Sequence, residues 1–474
     1  MVVGDAETET ELLVIGGGPG GYAAAIRGAQ HGLDVTLVER DAYGGTCLNR
    51  GCIPSKALVS VGSLAHDAGS AEEMGVHADP AVDMAQTADW LSGVVTRLTR
   101  GVEKLCKANS VALLEGTAEF VGPHEARVRS AAEGRDAETV TFENAVVATG
   151  SRPVELPGLP FAADRVLDSA ALLALDSVPD SLAVVGAGYI GMELSTAFAK
   201  LGSDVTVVEA LPEALPGYED DVTAVVRGHA EDVGVDFHFE ERASGVTDGP
   251  DGRAALKTET EEGTARYAAD RVLVAVGREP VTDTMGLDAV GLAPDDDGVL
   301  AVDEECRTDV DHVFAVGDVA GDPMLAHRAY REGVVAAAVV AGTPEAVDDR
   351  ATPAAVFTDP EVATVGLTAD EAREGGYEPA VGEMPFRVSG RALTTGHTDG
   401  FARVVADGET GLVLGGQVVG REASELIAEI TLAVEMSATL EDLAATVHTH
   451  PTLSEAVHEA VENAREEAIH TLNR

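Results

Sequence analysis

Short apolar runs that end in glycine or an acid punctuate most of the chain, and the first covers residues 11–15. That predicted strand leads into Gly16-Gly17-Gly18-Pro19-Gly20-Gly21, a predicted helix over 22–31, and a second apolar strand over 34–38 that ends at Glu39. The same order returns with residues 182–185, Gly186-Ala187-Gly188-Tyr189-Ile190-Gly191, a helix to Leu201, a strand over 204–208 and Glu209. In both copies the acid follows the first glycine by 23 residues (39 − 16 and 209 − 186). Each copy is also followed by a matching later run, 145–153 in the first and 272–280 in the second. Strand, G-x-G-x-x-G, helix, strand and acid form a dinucleotide-binding unit. The glycines permit a tight turn and close backbone approach, the helix N-terminus faces a pyrophosphate, and the acid meets a ribose hydroxyl. Two copies predict two such domains, related by duplication, and two bound dinucleotides. Their candidate contacts are Gly16, Gly18, Gly21 and Glu39 in one and Gly186, Gly188, Gly191 and Glu209 in the other. A carboxylate at Glu209 repels a 2′-phosphate, and no basic residue follows before Arg227, which selects NAD over NADP.

Between the copies, 85–108 reads as helix and 111–126 as strand and turn. After the second copy, a strand over 313–318 ends at Asp318. Met324-Leu325-Ala326-His327 and a helix to Ala341 follow, as a return to the first domain. A boundary is predicted at 342–350. Beyond it, 353–367 and 401–420 are strand-like with glycine turns, 422–435 and 454–469 read as helices, and no phosphate loop appears. The predicted fold is α/β: two Rossmann-like dinucleotide-binding domains plus a C-terminal α+β dimerisation domain. The first nucleotide domain takes residues 1–150 and 278–345, the second 151–277, and the last domain 346–474.

Composition narrows the partners. With 82 acidic and 32 basic residues the chain carries a net charge of −50, which excludes nucleic acid and anionic membrane, since both require a basic face. The acids are spread throughout and only five lysines occur, the surface chemistry of a salt-adapted protein. No apolar run approaches the ~18 residues of a membrane-crossing helix. The acidic start of the chain is unlike a secretion signal, and four cysteines in 474 residues suit a reducing interior, so a cytoplasmic location is expected.

Two of those cysteines lie in Gly44-Gly45-Thr46-Cys47-Leu48-Asn49-Arg50-Gly51-Cys52-Ile53-Pro54-Ser55-Lys56. Five residues along a straight helix span ~7.5 Å on different faces, a poor fit to disulfide geometry. Gly44, Gly45, Gly51 and Pro54 predict a distorted loop-into-helix that could close a strained, easily reduced disulfide; two unrelated buried thiols are the alternative. No further ligands at zinc spacing accompany the pair. Cys47 follows Glu39 by eight residues, so the first dinucleotide must exchange electrons with the dithiol, and a flavin fits. Cys106 and Cys306 read as small buried hydrophobes. A thiol pair also needs a proton shuttle. His448-Thr449-His450-Pro451-Thr452-Leu453-Ser454-Glu455 offers one, although Thr452 to Glu455 equally matches a capping box.

Residues 44–56 and 448–455, set around two dinucleotide fingerprints in this order, closely resemble the dihydrolipoamide dehydrogenases among the flavin-dependent pyridine nucleotide-disulfide oxidoreductases. The resemblance spans nearly the whole chain. It implies FAD in the first domain, NAD in the second, a Cys47–Cys52 redox disulfide, and a homodimer in which the last domain of one subunit brings His450 and Glu455 to the thiols of the other. Cys47 would meet the substrate, Cys52 would face the flavin, and His450 would act as base, supported by Glu455. Lys56, one turn after Cys52, would sit by the flavin paired with Glu193, a position held by Ala23 in the first copy. By the same resemblance Gly45, Thr46, Ala118, Thr149, Gly150, Asp318 and Met324 to His327 (with Leu325 and Ala326) would contact FAD, and Tyr189 and Gly277 NAD. The implied partner is a lipoyl-bearing protein of a 2-oxoacid dehydrogenase or glycine cleavage complex. Related reductases fit less well: no cysteine follows Cys306, where mercuric reductases and large thioredoxin reductases carry a redox pair, and glutathione-type enzymes usually read Lys at the position of Ser55. A non-catalytic flavoprotein redox sensor is the reading from another class.

Overall fold

The computed structural model describes residues 6–130, 137–249, 252–261 and 263–473. The chain opens with β1 (Ala6–Ile15), α1 (Pro19–Gln30), β2 (Val35–Glu39), α2 (Gly45–Arg50), α3 (Cys52–Ser70) and α4 (Met84–Ala108), then β3 (Ala112–Glu115), β4 (Thr117–Gly122), β5 (Glu125–Arg129) and β6 (Glu138–Val147). The first sheet runs β3-β2-β1-β6, with β5 and β4 beyond. The parallel strands at its centre are buried through Leu12, Leu13, Val14 and Leu37, each at 0 % exposure, as befits a sheet covered on both faces. β1 begins earlier than its apolar stretch because its polar half also pairs with β6, from Ala6 opposite Glu138 onward.

After β7 (Ser151–Pro153) and β8 (Val166–Leu167) come α5 (Ser169–Leu173), β9 (Ser181–Val185), α6 (Tyr189–Lys200), β10 (Asp204–Val208), α7 (Asp220–Asp232) and β11 (Val235–His238). The chain continues through β12 (Arg242–Asp248), β13 (Ala254–Thr260), β14 (Gly263–Ala269), β15 (Arg271–Val274) and β16 (Arg278–Pro280). A second parallel sheet, β11-β10-β9-β15-β8, repeats the first in outline, and β12-β13-β14 form a separate antiparallel sheet. That antiparallel sheet has no counterpart in the sequence reading, because its strands are too polar to stand out as apolar runs. The two matching runs that follow the duplicated units meet each other: β7 pairs antiparallel with β16, joining the two halves. β17 (Val313–Ala315) then pairs with β6 in the first sheet, and α8 (Ala326–Val340) packs against α1.

The last part comprises β18 (Ala354–Val356), β19 (Glu361–Gly366), α9 (Ala369–Glu374), β20 (Pro379–Pro385), α10 (Gly390–Thr395), β21 (Phe401–Asp407), β22 (Val413–Gly420), α11 (Ala423–Glu435), α12 (Leu440–Ala444) and α13 (Glu455–Ala464). Its five strands form one antiparallel sheet covered by α11 and α13. The helix predicted over 454–469 stops at Ala464. Glu466 turns into the left-handed region (φ 62°), and the buried Asn463 amide ties the tail back through Leu472 O at 2.9 Å while accepting the Glu383 N–H at 3.0 Å. Among the described residues no helix is long and apolar enough to cross a membrane.

The three parts share a core: Leu58 of α3, Phe198 of α6 and Phe401 of β21 belong to one apolar cluster. Charge also crosses the same boundary. Arg403 on β21, its side chain 11 % exposed, binds Glu383 at 2.8 Å, Gln417 at 2.9 Å, Glu219 at 3.3 Å, and Asp221 at the start of α7. Removing this cation strands three carboxylates around one point. Arg403→Met is expected to lower stability by about 2–4 kcal/mol, read as a fall in thermal midpoint; an unchanged midpoint would mean the cluster is not a clasp.

Candidate active site

The two glycine loops superimpose in their chemistry. A Cβ on Gly16 would meet Ala148 O at 2.2 Å and one on Gly21 would meet Gly16 O at 1.8 Å. In the second loop Gly186 faces Ala275 O at 2.6 Å and Gly191 faces Gly186 O at 2.0 Å. The outer glycines are thus required by the fold itself. The middle ones are different: nothing lies within 4 Å of a Cβ on Gly188, and only Gly45 Cα, at 3.9 Å, approaches one on Gly18. Both middle glycines are the N-caps of α1 and α6 and supply no side-chain cap. Bare backbone therefore opens onto two uncapped helix N-termini, which fits a pyrophosphate in each.

The acids follow suit. Glu39 accepts the Gly17 N–H and the Asp41 N–H, each at 2.7 Å. Glu209 accepts the Ala187 N–H at 2.7 Å and the Leu211 N–H at 2.8 Å. Each carboxylate is locked to its own loop by one lone pair per oxygen, and its remaining lone pairs are available to ribose hydroxyls. At the rims, Gly150 and Gly277 have positive φ (69° and 133°) and open space where a side chain would be. Thr149 donates to Val281 O at 2.7 Å. Tyr189, the first residue of α6, is exposed. Ala118 lies on β4 with its side chain in the apolar core, so only its backbone could face a ligand.

The dithiol segment is two helices broken at Gly51, where the sequence predicted a distorted loop running into one helix. Gly44 (φ 98°) and Gly45 (φ 58°) lead into α2, which carries Cys47. Gly51 (φ −133°, ψ −112°) breaks the helix, and α3 begins at Cys52. Gly45 is needed twice over, since a Cβ there would also strike Gly18 Cα at 2.6 Å. That contact brings α2, with Thr46 in its first turn, beside the first pyrophosphate cradle. Pro54 falls in the first turn of α3, where a missing N–H costs nothing. Asn49 fixes the segment by donating to Gly45 O at 2.9 Å and accepting from Thr99 of α4 at 3.1 Å.

Both cysteines are free thiols, hydrogen-bonded to each other. The bond from Cys47 lowers the Cys52 thiol below its ordinary value and, against the opposing effect of burial, the Lys56 ammonium lowers it further. Cys47 moves the opposite way, raised by that shared bond and by burial. The reduced pair thus carries its negative charge on Cys52. Lys56 Nζ binds Glu193 Oε2 at 2.7 Å, and Glu193, 3 % exposed on α6, accepts the Phe357 N–H with its other oxygen at 2.9 Å.

Asp318 follows β17 in a short 3₁₀ turn and accepts Ser151 Oγ at 2.5 Å. Arg278 donates to Ser151 Oγ at 2.7 Å and to Ser151 O at 2.8 Å. Met324, Leu325 and Ala326 lead into α8, and His327 sits against Pro353 O at 2.6 Å. Ser151, Arg278 and Phe357 are absent from the sequence-based set. The first two stand in the repeated runs, so the repeat itself pointed to their neighbourhood; nothing in the sequence singled out Phe357.

Far along the chain, His450 Nδ1 lies 2.9 Å from Glu455 Oε1, while Glu455 Oε2 accepts the Thr452 N–H at 2.9 Å. Against a burial effect that pulls the other way, the Thr452 N–H and the His450 ring hold Glu455 below the usual carboxylate range. This is half of a capping box; Thr452 Oγ1 instead donates to Thr449 O at 2.8 Å. The His450 side chain is 82 % exposed and has no other hydrogen bond among the described residues. His448 is unlike it, buried against Glu429 at 2.8 Å and within 5.2 Å of the His458 ring. Glu455 fixes the His450 tautomer and leaves Nε2 free at the surface.

Two nucleotide cradles meeting at a dithiol are the architecture of a nucleotide-linked disulfide oxidoreductase, and the chain belongs to the pyridine nucleotide-disulphide oxidoreductase family, whose profile matches residues 10–333. The dimerisation domain of that family matches residues 352–461. Within the family, dihydrolipoyl dehydrogenases are among the relatives that match over the full length. That of Haloferax volcanii is 63 % identical and that of Geobacillus stearothermophilus 46 % identical, each over 100 % of both chains. Among solved structures, LpdA from Mycobacterium tuberculosis aligns with a TM-score of 0.89 at 29 % identity, covering 96 % of this chain and 99 % of that one. The HOCl-induced flavoprotein disulfide reductase RclA from Escherichia coli aligns at 0.84 and 27 %, covering 95 % and 99 %.

Proposed function

We propose that this chain is a homodimeric dihydrolipoyl dehydrogenase that reoxidises protein-bound dihydrolipoyl groups with NAD⁺ through Cys47 and Cys52. The observation that carries the proposal is the Cys47–Cys52 pair, with its charge biased to Cys52, set between two open dinucleotide cradles and beside the Lys56–Glu193 ion pair. FAD is assigned to residues 1–150 and 278–345, through the Gly16 to Gly21 loop, Glu39, Thr46, Asp318 and the start of α8. NAD is assigned to 151–277, through the Gly186 to Gly191 loop and Glu209, and residues 346–474 to the subunit contact. Bound there, FAD would supply the two-electron relay between the dithiol and NAD⁺.

The chain's own residues do the rest. A substrate thiol loses its proton to Nε2 of the partner subunit's His450, and the resulting thiolate attacks Cys47 Sγ. The Cys47–Cys52 bond breaks and Cys52 leaves as thiolate, stabilised by Lys56. The second substrate thiol displaces Cys47 from the mixed disulfide, its proton passing through the imidazole to the departing Cys47 sulfur; the lipoyl disulfide leaves, and the reduced pair holds Cys47 as thiol and Cys52 as thiolate with one proton on the imidazole. The near-complete exposure of His450 in its own chain is what a base serving another subunit requires. A lipoyl-bearing complex is the proposed partner and the cytoplasm the proposed location, in keeping with only four cysteines in 474 residues.

Anaerobic titration with dithionite or NADH tests the core of this reading. A two-electron-reduced protein with a long-wavelength thiolate-to-flavin absorption band is expected, together with NAD-dependent oxidation of dihydrolipoamide. Reduction of bound flavin with no such band would remove Cys52 from its assigned place.

A further inference from the structure

We propose that Phe357 is a positioning residue for the redox pair: its backbone N–H and the face of its ring clamp the Glu193 carboxylate and the Lys56 ammonium in place beside Cys52. The inference rests on the proposed function, and it extends it to a residue of the C-terminal part of the chain, just after β18.

Three contacts converge there. Phe357 N–H donates to Glu193 Oε1 at 2.9 Å, Glu193 Oε2 binds Lys56 Nζ at 2.7 Å, and Nζ stands 4.6 Å from the centroid of the Phe357 ring. Glu193 is almost fully buried, whereas the Lys56 side chain is 29 % exposed. A lysine has four rotatable bonds and a strongly hydrated head, so one carboxylate contact leaves it free to swing toward water. The ring blocks that path on one side and attracts the cation through its quadrupole. Phe357 thus holds the cation against Glu193, within electrostatic reach of the Cys52 thiol. The charged and titratable groups around Cys52 are Cys47 on α2, Lys56 on α3, and Glu193 and Tyr189 on α6. Among the described residues of this chain Lys56 is the only cation in this set; the proposed dimer adds the partner subunit's His450 at the Cys47 end. The placement also means that docking of the C-terminal part on α6 and the tuning of the thiols are one structural event.

The test uses the FAD-loaded full chain reduced by dithionite without NAD, followed by pH titration of the thiolate-to-flavin band. Leucine retains the backbone N–H and the apolar bulk but removes the ring face. In Phe357→Leu the Lys56 cation stabilises the Cys52 thiolate less, so the thiolate forms at higher pH and the band midpoint moves up, by about half a pH unit or more. Where the leucine variant does not yield FAD-loaded protein, Phe357→Met serves the same purpose. Phe357→Tyr keeps the ring and is expected to return the midpoint to that of the parent. A leucine or methionine midpoint equal to the parent's would overturn the inference, and so would a tyrosine variant shifted as far as leucine. Absence of the band in the parent protein would instead bring down the proposed function, and this inference with it.

Discussion

In His450→Gln, NAD-dependent oxidation of dihydrolipoamide is expected to fall by about 10²- to 10⁴-fold, the usual worth of a well-placed general base, with FAD still bound. Glutamine preserves the length of the side chain and can still donate to Glu455, so the loop that carries it should keep its shape. It cannot take a proton near neutral pH. The loss should therefore fall on the thiol–disulfide exchange, and direct reduction of the bound flavin by NADH should stay near the parental rate. A stopped-flow comparison of the two half-reactions separates these effects. Turnover within a few-fold of the parent would remove His450 from the mechanism, and equal slowing of both half-reactions would point to a damaged fold. The geometry favours the first pattern, because among the described residues His450 hydrogen-bonds only with Glu455, and it is remote in sequence from every nucleotide loop.

Transfer from molar KCl to dilute buffer is expected to lower the thermal midpoint by about 10 °C or more, because the screening length grows from ~3 Å at 1 M to ~30 Å at 0.01 M. Even if every basic residue neutralised one acid, 50 carboxylates would remain (82 − 32). Runs such as Asp295-Asp296-Asp297 are exposed and lie side by side. Most of the ion pairs are partly or wholly exposed and contribute little each, so weakening them with salt costs less than relieving the repulsion gains. Salt that acts by excluding itself from the surface would also stabilise; a matched series in sucrose separates the two, since sucrose screens nothing. A midpoint that ignores KCl, or that sucrose restores as well, would rule out the electrostatic account. Relatives from Haloferax volcanii and Halobacterium salinarum, 63 % and 60 % identical, are in keeping with it.

Much of the fold was legible because its rules are local. An apolar run, a glycine triplet and an acid at fixed spacing describe a single strand–turn–helix–strand unit, in which Gly21 and Gly191 are required by the backbone of Gly16 and Gly186, while Gly16 and Gly186 are themselves pressed against Ala148 and Ala275 of the later run. The strand over 204–208 matched β10 residue for residue. The antiparallel sheet from β12 to β14 was not legible, because partly exposed, polar strands leave no apolar signature. The end of α13 was not legible either: it depends on Asn463, which holds β20 on one side and the chain's tail on the other.

By itself the sequence determined the two glycine loops with their acids, the preference of Glu209 for an unphosphorylated ribose and the dithiol segment, since each is a constraint that neighbouring residues impose on one another. Only the tertiary structure decided which further distant groups meet. The Lys56–Glu193 pair, 137 residues apart, was expected from the family resemblance and not from spacing, whereas Glu193 finds Phe357 across 164 residues and Ser151 finds Asp318 across 167 with no such pointer. Such pairs leave no period or spacing along the chain. They exist because packed sheets and helices bring distant backbones together and because a buried carboxylate, once there, must have its donors.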